Sequence, residues 1–235
     1  LGLVNIFFGK NNCGKSSLLE AIFLMSGPSN PTLPILVNNL RHLVSFAEED
    51  ILTSYKIASV PSVELGYKEF MKPSNNSILQ DKIREILAQE APISNDLLAR
   101  RLAQAVGAGN VTAKVKERCS YLCESAKIIK TSRSGKDFWW HEEPSSYKKV
   151  RTASDAATRR DVSDIPWEEA VNAVSYIVKV GVGMPKDSIP SDTAKMLGYV
   201  RPKAELIALL EEALKHCFNE EILKEGLGGS ITVAD

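Results

Sequence analysis

Apolar residues recur at helical spacing through the middle of the chain, and the pattern predicts three consecutive helices. The first stripe covers residues 79–87 and ends before Pro92, which cannot continue a helix. A second helix follows the polar cap residues 94–96 and ends at Gly107, and a third covers about 110–126. Because each stripe repeats every three or four residues, we expect the three helices to share one core.

A β-hairpin is predicted directly after the third helix. Residues 127–131 and 136–140 are typical of strands, and residues 132–135 form the turn between them. Trp139 and Trp140 are adjacent, so strand alternation should send one ring into the core and leave the other at its rim. Three helices followed by a hairpin is the element order of a winged helix-turn-helix.

The same order returns about 90 residues later. A helical face covers residues 167–178, and the segment 184–198 has the same length as 93–107 and aligns with it. A third helix follows at 206–218, and a second hairpin is predicted at 222–233. A repeat at this period indicates two copies of one structural unit.

The N-terminal segment has a different pattern. An apolar run typical of a buried strand precedes Gly9–Ser16, and a helical pattern follows it. Gly9–Ser16 is a complete G-x-x-x-x-G-K-[ST] phosphate-binding loop, whose backbone N–H groups and following helix surround phosphate oxygens. We therefore predict that the segment binds ATP, with Lys15 at the β- and γ-phosphates and Ser16 as a ligand of Mg²⁺. The predicted nucleotide-binding residues are Gly9, Asn11, Asn12, Cys13, Gly14, Lys15, Ser16 and Ser17.

These patterns predict an α+β fold that is mainly helical. A short, truncated P-loop strand–helix unit (residues 1–52) is followed by two tandem winged-helix-like units, which we call unit 1 (76–140) and unit 2 (167–235). Residues 53–75 are predicted to be a connector. Residues 141–166 are polar and charged, so we predict a linker that is partly disordered.

The sequence VNIFFGKNNCGKSSLLEAI at residues 4–22 resembles the start of AAA/ABC-type ATPases of the SMC and OLD-nuclease kind. The resemblance implies ATP and Mg²⁺ binding. It then stops, because no second strand ending in Asp or Asp-Glu and no signature sequence follows; Ser230–Asp235 lacks the required apolar run. Hydrolysis by this chain is therefore not expected, and whether the chain is an enzyme stays open.

Residues 54–234 resemble an uncharacterised domain found near the C-terminal end of large bacterial proteins that join a superfamily-one helicase to a Vsr-like nuclease. Glu90–Ile93 and Asp96–Ala103 carry the resemblance, with support from Tyr67, Phe70 and Pro73–Asn75. It implies an accessory domain of DNA-processing or defence proteins, with a helicase or nuclease subunit as a partner and no catalytic residues. The chain begins at Leu1 inside a predicted strand, so we interpret it as a piece of a longer protein with a fusion junction near residue 52.

Charge is unevenly distributed, although the chain as a whole has a net charge of zero. Residues 51–150 carry 16 basic and 11 acidic groups, whereas residues 151–235 carry 10 basic and 14 acidic groups. Unit 1 is therefore the part predicted to meet DNA, through the third helix and the wing. The candidate nucleic-acid-binding residues are Lys114, Arg118, Lys130, Arg133 and Lys136. The alternative is a solvated basic face on a protein-interaction module, and for acidic unit 2 we expect packing or dimerisation.

Other residue types indicate little chemistry. Four scattered cysteines suggest reduced thiols in a cytoplasmic protein, and three isolated histidines fit neither a catalytic triad nor a zinc site. Arg100 and Arg101 are expected to be a solvated pair. No apolar run is long enough to span a membrane, so no membrane partner is expected.

Two functional hypotheses follow from the sequence. The first is an ATP-binding accessory protein, or a piece of a DNA-processing or defence ATPase or helicase system. The second is a non-enzymatic nucleic-acid-binding or protein-interaction module in which the P-loop is vestigial.

Overall fold

The computed structural model describes residues 51–181, 184–226 and 229–234. The described chain is mixed α+β and mainly helical, which confirms the predicted fold class. The predicted ATP and Mg²⁺ site at Gly9–Ser17 lies outside the described residues.

Unit 1 contains a helical bundle and a small antiparallel sheet. Its elements are α2 (Asn76–Glu90), β2 (Ile93–Ser94), α3 (Asn95–Ala105), α4 (Ala113–Ser125), β3 (Ile129–Arg133) and β4 (Lys136–Trp140). A short helix, α1 (Gly66–Phe70), precedes unit 1, and its Phe70 is buried in the same core. The sheet order is β2-β4-β3, so the short strand between α2 and α3 pairs with the second strand of the hairpin. Ser94 begins α3, since its hydroxyl accepts a hydrogen bond from the Leu97 N–H at 3.1 Å. The hairpin turns at Ser134 and Gly135, both at positive φ, as a tight two-residue turn requires.

Both tryptophans of β4 are buried, on opposite faces of the sheet. Trp139 is 0% exposed and packs into the helical core, and its indole N–H donates to Asn95 Oδ1 at 2.9 Å. Trp140 is 2% exposed and packs against Phe138 and Tyr147 on the other face. The expectation of one buried and one rim tryptophan is therefore wrong, because the segment after the hairpin covers the second face with Tyr147.

Unit 2 repeats this topology. Its elements are α5 (Trp167–Gly181), β6 (Met184–Pro185), α6 (Ile189–Met196), α7 (Ala204–Asn219), β7 (Leu223–Glu225) and β8 (Ser230–Val233), with the sheet order β6-β8-β7. The apolar stripes of the three helices and the strand residue Ile231 bury one common core. In both units the helix–strand–helix–helix–hairpin order and the sheet order are the same.

The segment between the units is folded. Strand β5 (Val150–Thr152) pairs in parallel with β1 (Leu52–Ser54), a strand from before unit 1. Two single 3₁₀ turns, Pro144–Ser146 and Val162–Asp164, lie on either side of β5. This arrangement corrects the expectation of partial disorder in residues 141–166. The reason is that several charged residues of this segment are paired inside the protein, as described next.

Candidate functional site

The most buried charged group of the described chain is Glu169, at the start of α5. Its carboxylate is 0% exposed and lies between two arginines of the intervening segment. Arg151 Nη2 is 2.7 Å from Glu169 Oε2, and Arg160 Nη2 is 2.6 Å from Oε1. The backbone N–H of Arg151 also donates to Oε1 at 2.8 Å. We call Arg151, Arg160 and Glu169 the arginine–glutamate clamp.

The clamp reaches unit 1 through Arg151. Its Nη1 donates to the carbonyl oxygen of Glu90 at 2.8 Å, and its Nη2 donates to that of Pro92 at 2.9 Å. These carbonyls lie at the C-terminal end of α2 and in the short turn that leads to β2. One guanidinium therefore binds the carboxylate of unit 2 and the backbone of unit 1 at the same time, which fixes the two units relative to each other.

Opposing effects set the pKa of Glu169. Burial by itself raises the pKa of a carboxyl group, but the positive charges and hydrogen bonds of Arg151 and Arg160 outweigh it and lower this pKa to about 2. Burial lowers the pKa of Arg160, whereas Glu169 raises it, and the net direction is upward. The Glu169 carboxylate and the Arg160 guanidinium are therefore charged throughout the neutral range.

A second buried carboxylate, Glu90, lies at the end of α2. Arg101 Nε donates to Glu90 Oε2 at 2.9 Å, the Tyr55 hydroxyl donates to Oε1, and the Ala58 N–H donates to Oε2 at 2.8 Å. Burial and the negative charge of Glu90 raise the pKa of the Tyr55 hydroxyl. The ring of Tyr55 also lies 4.7 Å from the Arg160 guanidinium, so the two charged clusters are contiguous.

A third link joins the 3₁₀ turn at Val162–Asp164 to unit 1. The Ser94 hydroxyl donates to Asp164, and Arg100 Nη2 lies 3.2 Å from Asp164 Oδ2. Arg100 and Arg101 are therefore paired with two different buried carboxylates. The expectation of a solvated arginine pair is wrong for Arg101, whose side chain is 18% exposed and pairs with buried Glu90, whereas Arg100 pairs with Asp164 and stays 49% exposed.

The wing of unit 1 contacts unit 2. The Arg133 guanidinium lies 3.1 Å from the ring centroid of Trp167, at the start of α5, and its Nη2 lies 2.5 Å from Glu212 Oε1 on α7. Arg133 was predicted to touch nucleic acid. In the structure it holds the end of the hairpin against the other unit.

Two more of the predicted nucleic-acid-binding residues have partners in unit 1 or in the segment just before it. Arg118 donates to the Lys72 carbonyl at 3.1 Å and to Asn76 Oδ1, so it joins α4 to the corner before α2. Lys130 lies 2.8 Å from Glu124. Arg118 is therefore hydrogen-bonded and Lys130 is ion-paired within the protein, which leaves less of their charge for a ligand.

Lys114 and Lys136 are the remaining two candidates, and both are exposed. Neither forms an ion pair with any residue that the structure describes. Lys114 lies in the first turn of α4 and Lys136 begins β4, after the wing turn. The exposed face of α4 also presents Glu117 and Glu124, so its charge is mixed.

Two features were not predicted from the sequence: the arginine–glutamate clamp, and a groove between unit 2 and the segment that precedes it. The groove has a volume of about 900 Å³, and its rim carries Arg159, Arg201 and Lys203. The sequence carries only indirect information about the clamp. Glu169 lies beside the apolar stripe of α5, and Arg151 and Arg160 lie in a segment without periodicity. Nothing in the linear pattern pairs them.

Within 51–181, 184–226 and 229–234, no group of three or more His, Cys, Asp or Glu residues could hold a metal ion. Cys119, Cys123 and Cys217 are buried free thiols. No helix in these ranges combines the length and the apolar character needed to cross a bilayer.

Part of unit 1 matches a known protein family. Residues 68–117 match the family described as "Protein of unknown function (DUF3320)", which covers about a fifth of the chain, from α1 into α4. No curated protein matches the chain, and no solved structure matches it. The match includes Glu90, Ser94, Arg100 and Arg101, which are residues of unit 1 in contact with the segments that flank it.

Proposed function

We propose that residues 51–234 form a non-enzymatic nucleic-acid-binding module of a DNA-processing system. The observation that carries the proposal is the repeated winged-helix topology, with two copies fixed to each other by a buried charged cluster. A fixed pair of such units presents surfaces at a constant separation, which suits contact with a regular polymer.

Lys114 and Lys136 are the residues of unit 1 that we assign to phosphate contacts. They lie at the start of the third helix and at the wing, the two elements that approach DNA in a helix-turn-helix with a wing. Lys127, just after α4, is exposed as well and adds a third cation. Arg118 has a positioning role, because it anchors α4 by its bonds to Lys72 and Asn76.

The mixed charge of α4 favours backbone contacts over base recognition. Glu117 and Glu124 on its exposed face would be repelled by the phosphates lining a groove. Binding should therefore depend little on base sequence. With two or three phosphate contacts, the logarithm of affinity should fall with the logarithm of salt concentration with a slope of about −2 to −3.

The test is a titration of the full chain against fluorescent duplex DNA at several salt concentrations. The double variant Lys114→Glu plus Lys136→Glu should bind at least about 10-fold more weakly and with a smaller salt slope. The matched control is Lys148→Glu plus Lys149→Glu, which makes the same charge change at exposed residues between the units. Equal weakening by both variants, or no binding by the parent chain at low salt, contradicts the proposal.

ATP binding at Gly9–Ser17 is a second proposal, supported by the complete P-loop motif. Lys15→Ala should abolish the binding of fluorescent ATP in the presence of Mg²⁺, and Ser16→Ala should weaken its dependence on Mg²⁺. Binding of ATP by Lys15→Ala at the affinity of the parent chain would contradict this assignment.

The match to DUF3320 supports an association of the module with a helicase, because that domain is typically found with helicase-like proteins. A helicase or nuclease subunit is accordingly the protein partner that we propose. A cytoplasmic location belongs to the same proposal.

A further inference from the structure

A groove between unit 2 and the segment that precedes it carries unpaired cations, and its floor is held by hydrogen bonds. One wall is the segment from Ala156 to Ser163, and the other runs from Tyr199 to Glu205, at the start of α7. Its volume of about 900 Å³ is at the upper end of the range for small-molecule sites. The groove does not involve the third helix and wing of unit 1.

Three cations border the groove and have no ion-pair partner among the described residues. They are Arg159 on one wall and Arg201 and Lys203 on the other, and all three are exposed. Asp161 and Glu205 also line it, so the free charge of the lining is only modestly positive. The two walls are separated by about 40 residues in the sequence, and the fold brings their cations together.

The floor of the groove is held by hydrogen bonds. The Tyr199 hydroxyl donates to the Arg160 carbonyl oxygen at 2.5 Å, and the guanidinium of Arg160 is fixed by Glu169 of the clamp. The Ala153 N–H donates to the Leu197 carbonyl at 3.1 Å, which ties together the segments that lead into the two walls. Gly198 is required there, because its φ is +96° and an added Cβ would lie 2.8 Å from the Ala153 Cβ.

The same groove presents apolar surface beside the cations. Val200 is 81% exposed, the largest exposed fraction among the large hydrophobic residues of the described chain, and it lies next to Arg201. Val162 and Ala156 line the opposite wall. Val200 lies on one wall of the groove, and because its side chain is largely exposed and outside the core of unit 2, it can contact the sugar or the base of a nucleotide.

We propose that this groove binds a nucleotide unit, with Arg159, Arg201 and Lys203 on its phosphate and Val200 against its nucleoside. Arginine guanidinium groups bind phosphate oxygens in a bidentate manner, which fits the placement of cations on both walls. The nucleotide can come from solution or belong to a single strand, since the phosphate and nucleoside are the same chemistry in both. The site is independent of the duplex-binding surface proposed for unit 1.

The experiment uses the full chain with Lys15→Ala, so that nucleotide bound at the P-loop does not contribute. The probes are fluorescent ADP, a labelled thymidine oligonucleotide of about ten residues, and inorganic phosphate as a competitor. The groove variant is Arg201→Glu plus Lys203→Glu, and the matched control is again Lys148→Glu plus Lys149→Glu. Because all four residues are exposed, we expect both variants to fold, which circular dichroism and urea unfolding will check.

The groove variant should lose at least about 10-fold in affinity for ADP, for the oligonucleotide or for both, while the control changes less than about twofold. Arg159→Gln, on the opposite wall, should weaken binding in the same direction. Loss for ADP identifies a free nucleotide as a ligand, and loss for the oligonucleotide alone identifies a strand.

Three outcomes would overturn the proposal. They are binding of neither probe, equal affinity of the groove variant and the control, and displacement of both probes by inorganic phosphate as effectively as by unlabelled ADP. Duplex binding that depends on Lys114 and Lys136 is measured separately. The groove proposal can therefore fail while duplex binding by unit 1 is confirmed, and the reverse is also possible.

Discussion

Units 1 and 2 have the same topology, but the sequence located their available cations with different success. In unit 1, three of the five predicted nucleic-acid-binding residues, Arg118, Lys130 and Arg133, have partners inside the protein. In unit 2, Arg201 and Lys203 are free of ion pairs among the described residues, although the segment that contains this unit is acidic overall.

The difference shows that the net charge of a segment does not predict how many of its charged side chains are exposed and unpaired, and so able to bind a ligand. The 16 basic residues of segment 51–150 include several that are paired with neighbouring carboxylates, carbonyl groups or unit 2. In segment 151–235 the buried carboxylate of Glu169 neutralises arginines in the interior, whereas other cations stay exposed. A binding surface therefore has to be assigned from unpaired side chains.

The arginine–glutamate clamp joins unit 1 to unit 2, and breaking it should have the largest effect on the unfolding free energy. Glu169→Ala leaves the guanidinium groups of Arg151 and Arg160 buried without a carboxylate, which we expect to cost about 3–5 kcal/mol of unfolding free energy. Urea unfolding measures the change. The two units should then unfold in separate transitions, since Arg151 also holds the backbone of unit 1.

Glu212→Ala is the matched control for this prediction. It also removes a carboxylate from an arginine between the units, but the Glu212 side chain is 61% exposed. Exposed ion pairs contribute about 0–1 kcal/mol, so the control should change stability little and leave a single transition. A loss of about 1 kcal/mol or less for Glu169→Ala would contradict the role assigned to the clamp.

The clamp also predicts how stability depends on pH. The folded-state pKa of Glu169, about 2, is lower than its ordinary value of 4.5, so its contribution is complete above about pH 4.5 and is lost as pH falls toward about 2. Urea midpoints between about pH 5 and about pH 3 should therefore fall more steeply in the parent chain than in Glu169→Gln. Parallel curves for the two proteins would show that Glu169 is not the linked group.

The sequence predicted the helices of both units because their apolar stripes are local and periodic. Leu79 and Ile83 in α2, and Leu206 and Leu210 in α7, are all fully buried on the faces that the spacing indicates. The repeat was visible for the same reason. Each unit carries its own core, so its pattern depends little on the rest of the chain.

The contacts between the units could not be predicted in this way. Arg151 and Glu90 are 61 residues apart, and Ser94 and Asp164 are 70 residues apart. Periodicity describes one element at a time, and it carries no information about which charged groups meet across a fold. The segment 141–166 looked like a linker because its order depends on such pairs rather than on an apolar stripe.

Tyr55→Phe tests how much the hydrogen bond from Tyr55 to the buried Glu90 carboxylate of unit 1 contributes to stability. The substitution removes the hydroxyl that donates to Glu90 while it keeps the ring that lies beside Arg160. Since Arg101 still pairs with Glu90, we expect a loss of about 1–2 kcal/mol in unfolding free energy, measured by urea unfolding. Tyr67→Phe is the control, because Tyr67 is 43% exposed and the change should be close to neutral. A similar change for both variants would contradict a specific role of the Tyr55 hydroxyl.

Substitution of Arg133 should have the smallest effect on stability. It tests whether the wing of unit 1 packs against unit 2 or contacts a ligand. Arg133→Ala removes the contacts with Trp167 and Glu212, and we expect a loss of about 0.5–1.5 kcal/mol, measured by urea unfolding. Arg133→Lys keeps the charge but lacks the planar group over the indole ring, so it should recover only part of this loss. A double-mutant cycle with Glu212→Ala separates the ion pair from the ring contact. If Arg133→Ala instead leaves stability unchanged and weakens duplex binding as strongly as Lys114→Glu plus Lys136→Glu, the wing contacts nucleic acid and both units expose their cations.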